Sequence, residues 1–388
     1  MRWLAWCYLL DRCWRWLVIR RFFAKPKPPA PKHWPSIDLI QPLTHGVFDL
    51  AKTLQQRLDL RYAGQLQHYW IVDQADSQTL AVCSALQKKH SEQRITIIQV
   101  APDWGQRASK LVKLQAALAQ ANSEVLWFID DDVSLPVDGL SQGLPYLFQP
   151  QVGAMFGLAC YVNWRNLPSA LMSNFVNANA LPSYIGLAAL TEPYTITGHQ
   201  FALQRHIFEQ IGGFSGMQGR IDDDHELARR VQAHGLRNLQ TPLIYQVDNY
   251  FVNLPAYLQQ MQRWFTIPRV LMLPHLSQHD QFVTSLTSLA QPIPTILALA
   301  RMRQPKLWPW LVACLLAQLS LQGWQIRRYC QTKAPWWAWP LSIIGALLDP
   351  LLMLWGLLGD DTIVWRGERI RLRRSASAQW LGKEQDHD

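Results

Sequence analysis

Three clusters of polar residues in this 388-residue chain have types and spacings that could do chemistry. In "LWFIDDDVSLP" an apolar run ends in three consecutive aspartates, of which Asp130 and Asp132 form an Asp-x-Asp pair. Alternate side chains of an extended segment point the same way, so these two carboxylates are expected to face one site while Asp131 turns aside. Oxygen ligands so placed suit a hard divalent cation, Mg2+ or Mn2+, that shares its coordination with substrate phosphates. Alone the pair says little, because acidic loops are usually just solvated.

The second cluster, "GRIDDDHELARRVQAHG", sets Asp222, Asp223 and Asp224 ahead of a helical pattern whose first turn holds Glu226. Acidic residues cap helix N-termini and complement the helix dipole. One cap would suffice, however, and three carboxylates after the glycine turn "IGGFSGMQG" leave one to act as a general base. The third cluster, "QQMQRWF", puts Gln260 and Arg263 on one helix face, followed by Trp264, so that a guanidinium can bind a diphosphate. An Arg-Trp pair before a membrane segment also serves as an interfacial anchor.

Positioning these groups requires a sheet. "SIDLIQPL", "QHYWIVDQ", "ITIIQVAP" and "EVLWFIDD" read as strands, with "DLAKTLQQRL", "SQTLAVCSALQKK" and "ASKLVKLQAALAQ" as helices between them. Such alternation predicts a parallel sheet with binding groups at the carboxyl ends of its strands, where Asp73 and Asp130 fall. This α/β unit is expected over 36–275. A Trp-rich segment with Asp11, Arg12 and Arg15 at its middle occupies 1–23, and a proline-rich linker 24–35. The charges disfavour a signal peptide and favour a helix lying at a membrane interface over a tilted span.

Beyond 276, apolar stretches at 282–300, 307–324 and 336–358 approach the roughly 20 residues a helix needs to cross the hydrocarbon core, with tryptophans gathered at their ends. Pro292 and Pro294 make the first a candidate re-entrant segment. A basic tail completes the chain. With 37 Lys+Arg against 28 Asp+Glu the net charge is +9, and the cations bracket apolar segments. That placement points to a membrane surface and, without a basic-aromatic face or a reader motif, away from nucleic acid. Six cysteines without metal-binding or disulfide spacing fit a reduced, cytosol-facing chain.

In order along the chain, a strand-end aspartate, Asp-x-Asp, a glycine turn with an aspartate triplet, and Gln-x-x-Arg-Trp before apolar helices resemble the signature of inverting family 2 and family 21 glycosyltransferases. The resemblance is closest to family 21, the ceramide glucosyltransferases, and covers most of 36–370 through "SIDLIQPLTHG", "WIVDQADSQTLAVCSAL", "GQRASKLVKL", "TGHQFALQRHIFEQIGGF" and "IVWRGERIRL". It implies a GT-A domain, a Rossmann-like nucleotide-diphospho-sugar transferase fold, with C-terminal membrane helices. The protein would be an integral membrane protein whose catalytic domain faces the cytoplasm. The implied reaction moves a hexose, with glucose favoured, from a UDP-sugar to a lipid hydroxyl such as that of ceramide or diacylglycerol. Asp73 or Asp76 would contact the nucleotide, Lys110 would lie near the uridine or its phosphates, and Asp130 and Asp132 would hold the metal. Asp224 would be the base, with Gln260, Arg263 and Trp264 closing over the donor. The alternatives are a processive polysaccharide synthase, which shares Gln-x-x-Arg-Trp, and a catalytically silent membrane scaffold of the same fold.

Overall fold

The computed structural model describes residues 1–101, 109–217, 219–365, 368–373 and 378–383. Gly105 of "GQRASKLVKL", Gln218 of the glycine turn, and Arg366 and Gly367 of "IVWRGERIRL" lie outside the described residues.

Helix α1 (Arg2–Ala24) opens the chain, and strict alternation follows: β1 (Ile37–Pro42), α2 (Leu50–Leu58), β2 (Leu66–Asp73), α3 (Ser77–Lys89), β3 (Ile95–Val100), α4 (Ser109–Leu118) and β4 (Val125–Ile129). The second half of the domain comprises β5 (Val133–Ser134), α5 (Gly139–Leu147), β6 (Val152–Tyr161), α6 (Leu167–Ala188), β7 (Gln200–Gln204), α7 (Arg205–Gln210), α8 (Asp223–Ala233), β8 (Arg237–Val247) and α9 (Leu254–Ile267). The eight strands form one sheet in the order β3-β2-β1-β4-β7-β6-β8-β5. Parallel pairing holds from β3 to β4, as the alternation predicts. Beyond β4 the sheet is mixed, with β7 antiparallel to both β4 and β6 and β8 parallel to β6.

β4 shows why this sheet is central. Leu126 and Phe128 join the core on one face, Val125, Trp127 and Ile129 the core on the other, and all five are buried. A period of two with both faces apolar is what a strand covered by helices on each side requires.

The C-terminal part contains α10 (Gln278–Ser288), α11 (Ile293–Ala300), α12 (Trp308–Gln325) and α13 (Trp339–Leu358), then β9 (Thr362–Trp365), β10 (Glu368–Leu372) and β11 (Ala378–Lys383). Among the described residues, Trp336–Leu358 is the one unbroken helical stretch long and apolar enough to cross a membrane; α10 and α11 together also qualify but are bent by 44°. α12 carries Gln318, Gln322 and Gln325, which point into the protein and are buried there. The basic tail departs from expectation. It forms an antiparallel sheet, β11-β10-β9, because Ile370 and Leu372 alternate with charged residues and bury their side chains against the main core.

The charges that interrupt α1 face the protein. Arg15 donates to Pro182 O at 2.7 Å and to Asp11 Oδ2 at 2.9 Å, and Arg12 donates to Gln318 Oε1 at 2.8 Å. Pairing of this kind is what keeps buried guanidinium groups tolerable.

Candidate active site

The aspartates after β4 form a turn, which corrects the expectation of an extended segment. Val133 N–H bonds Asp130 O at 3.3 Å, and β5 begins at once. Asp131 is drawn off by the Thr44 N–H, at 2.7 Å from its Oδ2, although all three carboxylates line the same cleft. Behind the turn sits Arg57, fully buried in α2. Its guanidinium donates to Asp130 O, to Val133 O (2.8 Å) and to Gln41 Oε1 (2.7 Å). Burial lowers its pKa to about 10, while Asp131, Asp132 and Asp130 oppose that fall. Nothing in the sequence marks Arg57, since an arginine in a helical pattern reads as surface.

The cleft has a volume of about 750 Å³ and lies at the carboxyl end of β4. It brings together Lys110, Asp130, Asp132, Asp224, Gln260, Arg263 and Trp264, seven of the nine residues singled out from sequence. Lys110 is the hub: its Nζ pairs with Asp130 Oδ1 at 2.6 Å and donates to Gly198 O at 2.9 Å. Burial opposes its charge, but Asp130, Asp223 and Asp224 outweigh that and raise its pKa.

Asp73 and Asp76 stand outside the cleft lining. Asp73 ends β2 and pairs with Lys113 Nζ at 2.7 Å, and Lys113 itself lines the cleft. Asp76 caps α3, accepting from Thr79 N at 3.0 Å, and pairs with His45 Nδ1 at 3.1 Å. Burial works against its anion, yet the Thr79 and His45 bonds keep its pKa low.

Of the aspartate triplet, Asp224 Oδ1 accepts from the first-turn His225 N–H at 2.8 Å, but the residue at the cap position does not cap. Asp222 occupies the N-cap position of α8 without a capping hydrogen bond, because its carboxylate is taken by Arg220 at 2.7 Å. Asp223 Oδ2 is buried without a hydrogen-bond partner among the described residues. Asp224 lies beside Gly198, where an added Cβ would come 2.9 Å from its Oδ2. Burial, then the neighbouring charge of Asp223, raises the Asp224 pKa to about 7.

α9 starts at the Asn253 cap, whose side chain accepts from Ala256 N at 3.0 Å, and this sets the phase of its cleft face. Gln260 Oε1 accepts from Arg263 Nη2 at 2.6 Å, as the i, i+3 spacing predicts. The Arg263 guanidinium stacks 5.6 Å from the Trp365 ring, which β9 delivers to the cleft. Trp264 packs edge-on against Tyr161 at 6.3 Å. Tyr161 OH in turn meets His199 Nε2 at 3.1 Å. Burial, with help from Lys110 and Arg263, lowers the His199 pKa despite Asp130. Gly198, His199, Tyr161 and Trp365 were not singled out as site residues, although "TGHQ" and "IVW" lie within stretches that carried the resemblance.

Asp130 and Asp132 offer oxygen ligands only. Burial and the charges of Asp131 and Asp130 raise the Asp132 pKa well above the usual carboxylate range. Among the described residues no cation pairs with Asp132, and no group of three or more metal-binding side chains is assembled. Two crowded carboxylates fit a hard divalent cation that takes the rest of its shell from substrate phosphates and water.

Across 91% of the chain, the fold matches 97% of a mannosyltransferase from Pyrobaculum calidifontis solved in complex with GDP-mannose and Mn2+, with a TM-score of 0.53 and 16% identity. That level of likeness carries the GT-A fold. A beta-monoglucosyldiacylglycerol synthase of Synechocystis sp. is 24% identical over 194 residues, which are 48% of this chain and 38% of that protein's length. The sequence profile of glycosyl transferase family 21 matches residues 2–378. That match, over nearly the whole chain, makes the protein a member of glycosyl transferase family 21.

Proposed function

We propose that this chain is a membrane-associated inverting glycosyltransferase that moves a hexose, glucose in first place, from a UDP-sugar to a lipid hydroxyl. The observation that carries the reading is the union, in one cleft, of an acidic turn, the cations Lys110 and Arg263, a buried carboxyl near neutrality and an apolar wall. Phe175, Val176, Ala180 and Tyr184 of α6 make that wall with Ile267 and Met272. A lipid acceptor needs such a surface, and the Synechocystis relative, by its name, makes a glucosylated diacylglycerol.

Asp130 and Asp132 would hold Mg2+ or Mn2+, which when bound neutralises charge on the departing nucleoside diphosphate. Lys110 turns from Asp130 toward the diphosphate, and Arg263, held by Gln260, meets it from the other side. Asp73 contacts the nucleotide beside Lys113, and Asp76 flanks it with His45. Trp264 closes over the donor. Asp224 accepts the proton of the acceptor hydroxyl, whose oxygen attacks the anomeric carbon opposite the leaving group. The test is to incubate the purified protein with labelled UDP-glucose and a total lipid extract. Label in a lipid one hexose heavier supports the reading, and label in long polymer replaces it with a polysaccharide synthase.

Turnover should depend on pH through Asp224. A base must be ionised to work, so a carboxyl near 7 gives activity that falls about tenfold per pH unit below that value. Lys110 lowers the Asp224 pKa, so Lys110→Met should move this limb to higher pH as well as slow the reaction. A flat profile from pH 5 to 8 would remove Asp224 from the role. Gly198→Ala tests position: the new methyl displaces the carboxylate, with turnover expected to fall roughly 10²-fold at nearly unchanged thermal stability. Wild-type turnover in that variant would show that the carboxylate's placement is immaterial.

A further inference from the structure

We propose that α13 lies in the plane of one leaflet of an anionic membrane, flanked by α1 and α10–α12, and does not itself cross the bilayer. The proposal rests on the membrane reading above, but on no step of the reaction.

Among the described helices α13, with the turn before it, meets the length and apolarity of a spanning helix without a break. Its 20 residues make a rod of roughly 30 Å, the thickness of the hydrocarbon core. A spanning helix carries its two ends to opposite surfaces. Here both ends are fastened to helices of the catalytic domain. At its start, Asn174 Nδ2 donates to Leu341 O at 3.1 Å and Ser342 Oγ donates to Asn174 Oδ1 at 2.6 Å. At its end, Thr266 donates to Gly356 O at 3.4 Å, Arg269 donates to Gly359 O at 3.0 Å, and a Cβ on Gly356 would lie 2.6 Å from Phe265 Cβ.

Neither fastening can be carried into hydrocarbon. α6, which holds Asn174, is fixed to the main sheet by Asn177, whose side chain bonds Tyr161 N at 2.8 Å and Tyr161 O at 2.7 Å. α9, which holds Thr266, presents Gln260 and Arg263 to the cleft. An upright α13 would therefore drag the strand end at Tyr161 and the cleft helices through the bilayer, at a cost of several kcal/mol for each polar group left unsatisfied. An α13 lying in the membrane plane avoids this.

The faces of α13 agree. Ser342, Gly345 and Gly356 are buried against the domain, whereas Ile344, Leu348, Leu351, Trp355 and Leu358 recur at alternating four- and three-residue steps and are exposed. The neighbouring helices add exposed apolar side chains: Trp3 and Leu10 on α1, Phe282 on α10, Leu299 on α11 and Leu316 on α12 are all more than half exposed. An apolar surface of this extent on a folded domain marks a partner. Its rim is cationic. Arg2, Arg303 and Lys306 line a recess where α1 meets the turn before α12, and Arg327 and Arg328 stand exposed just after α12. Anionic headgroups complement such a rim.

The test places single cysteines on either side of α13 in the full-length protein. Cys7 and Cys13, the exposed native cysteines, are replaced by serine, and Lys333→Cys or Asp360→Cys is added at an exposed position. Sealed membrane vesicles are treated with a membrane-impermeant maleimide before and after permeabilisation by detergent. The expected result is that both positions label to the same extent in intact vesicles, from the same face. Labelling of one before detergent and of the other only after it would overturn the proposal. No sugar nucleotide or acceptor is present, so failure of the proposed reaction leaves the readout unaffected.

Discussion

Asp224→Asn is expected to abolish sugar transfer while leaving binding of the sugar nucleotide intact. Asparagine keeps the shape of the side chain beside Gly198 but cannot accept a proton. A positioned general base contributes roughly 10² to 10⁴ in rate, and a lipid hydroxyl is too weak an acid to attack without one. The loss should fall on turnover, with the dissociation constant for UDP-sugar in calorimetry unchanged. Asp222→Asn offers the contrast. It lies two residues away but is paired with Arg220, so its replacement should lower thermal stability far more than turnover. Equal loss of binding and turnover in Asp224→Asn would make Asp224 a structural residue.

The second large effect is expected from metal removal. Excess EDTA should bring transfer to background, and Mg2+ or Mn2+ should restore it. The reason lies in the charge around the acidic turn. Asp130 has Lys110, but Asp132 shares its surroundings with two other carboxylates, and burial raises its pKa well above the ordinary range. A nucleoside diphosphate brought into that cleft adds more negative charge, which Lys110, Lys113 and Arg263 do not balance against the lining aspartates Asp130, Asp131, Asp132, Asp222, Asp223 and Asp224. Asp132→Asn should weaken the response to metal, seen as a higher cation concentration for half-maximal activity. Full turnover in excess EDTA would contradict the assignment.

The first half of the fold was legible because each strand and helix there carries its own period. β1 to β4 and α2 to α4 fall where the apolar runs and helical patterns place them. β8 was harder, since Pro242 breaks a strand pattern; in the sheet it falls where the register with β6 shifts, a place that tolerates a missing N–H. The polar clusters were legible by residue type, because carboxylates at a strand end and ahead of a helix have few structural uses. Their mutual arrangement was not. Lys110 joins Asp130 to the Asp223 and Asp224 region across more than a hundred residues of chain, and only the sheet order brings them together. The extended reading of the aspartate turn failed for a related reason, because the bonds that curl it come from Thr44 and Arg57 on other elements. Trp365 was hidden by composition, in a segment whose arginines read as a basic tail.

The anomeric configuration of the first product tests the central claim most directly. A single displacement driven by Asp224, with no covalent sugar-enzyme intermediate, turns an α-linked UDP-sugar into a β-linked glycolipid. Coupling constants of the anomeric proton in the purified lipid product distinguish the two configurations. A β linkage is the result expected. An α linkage would require a second displacement or a front-face mechanism, and would contradict the role given to Asp224.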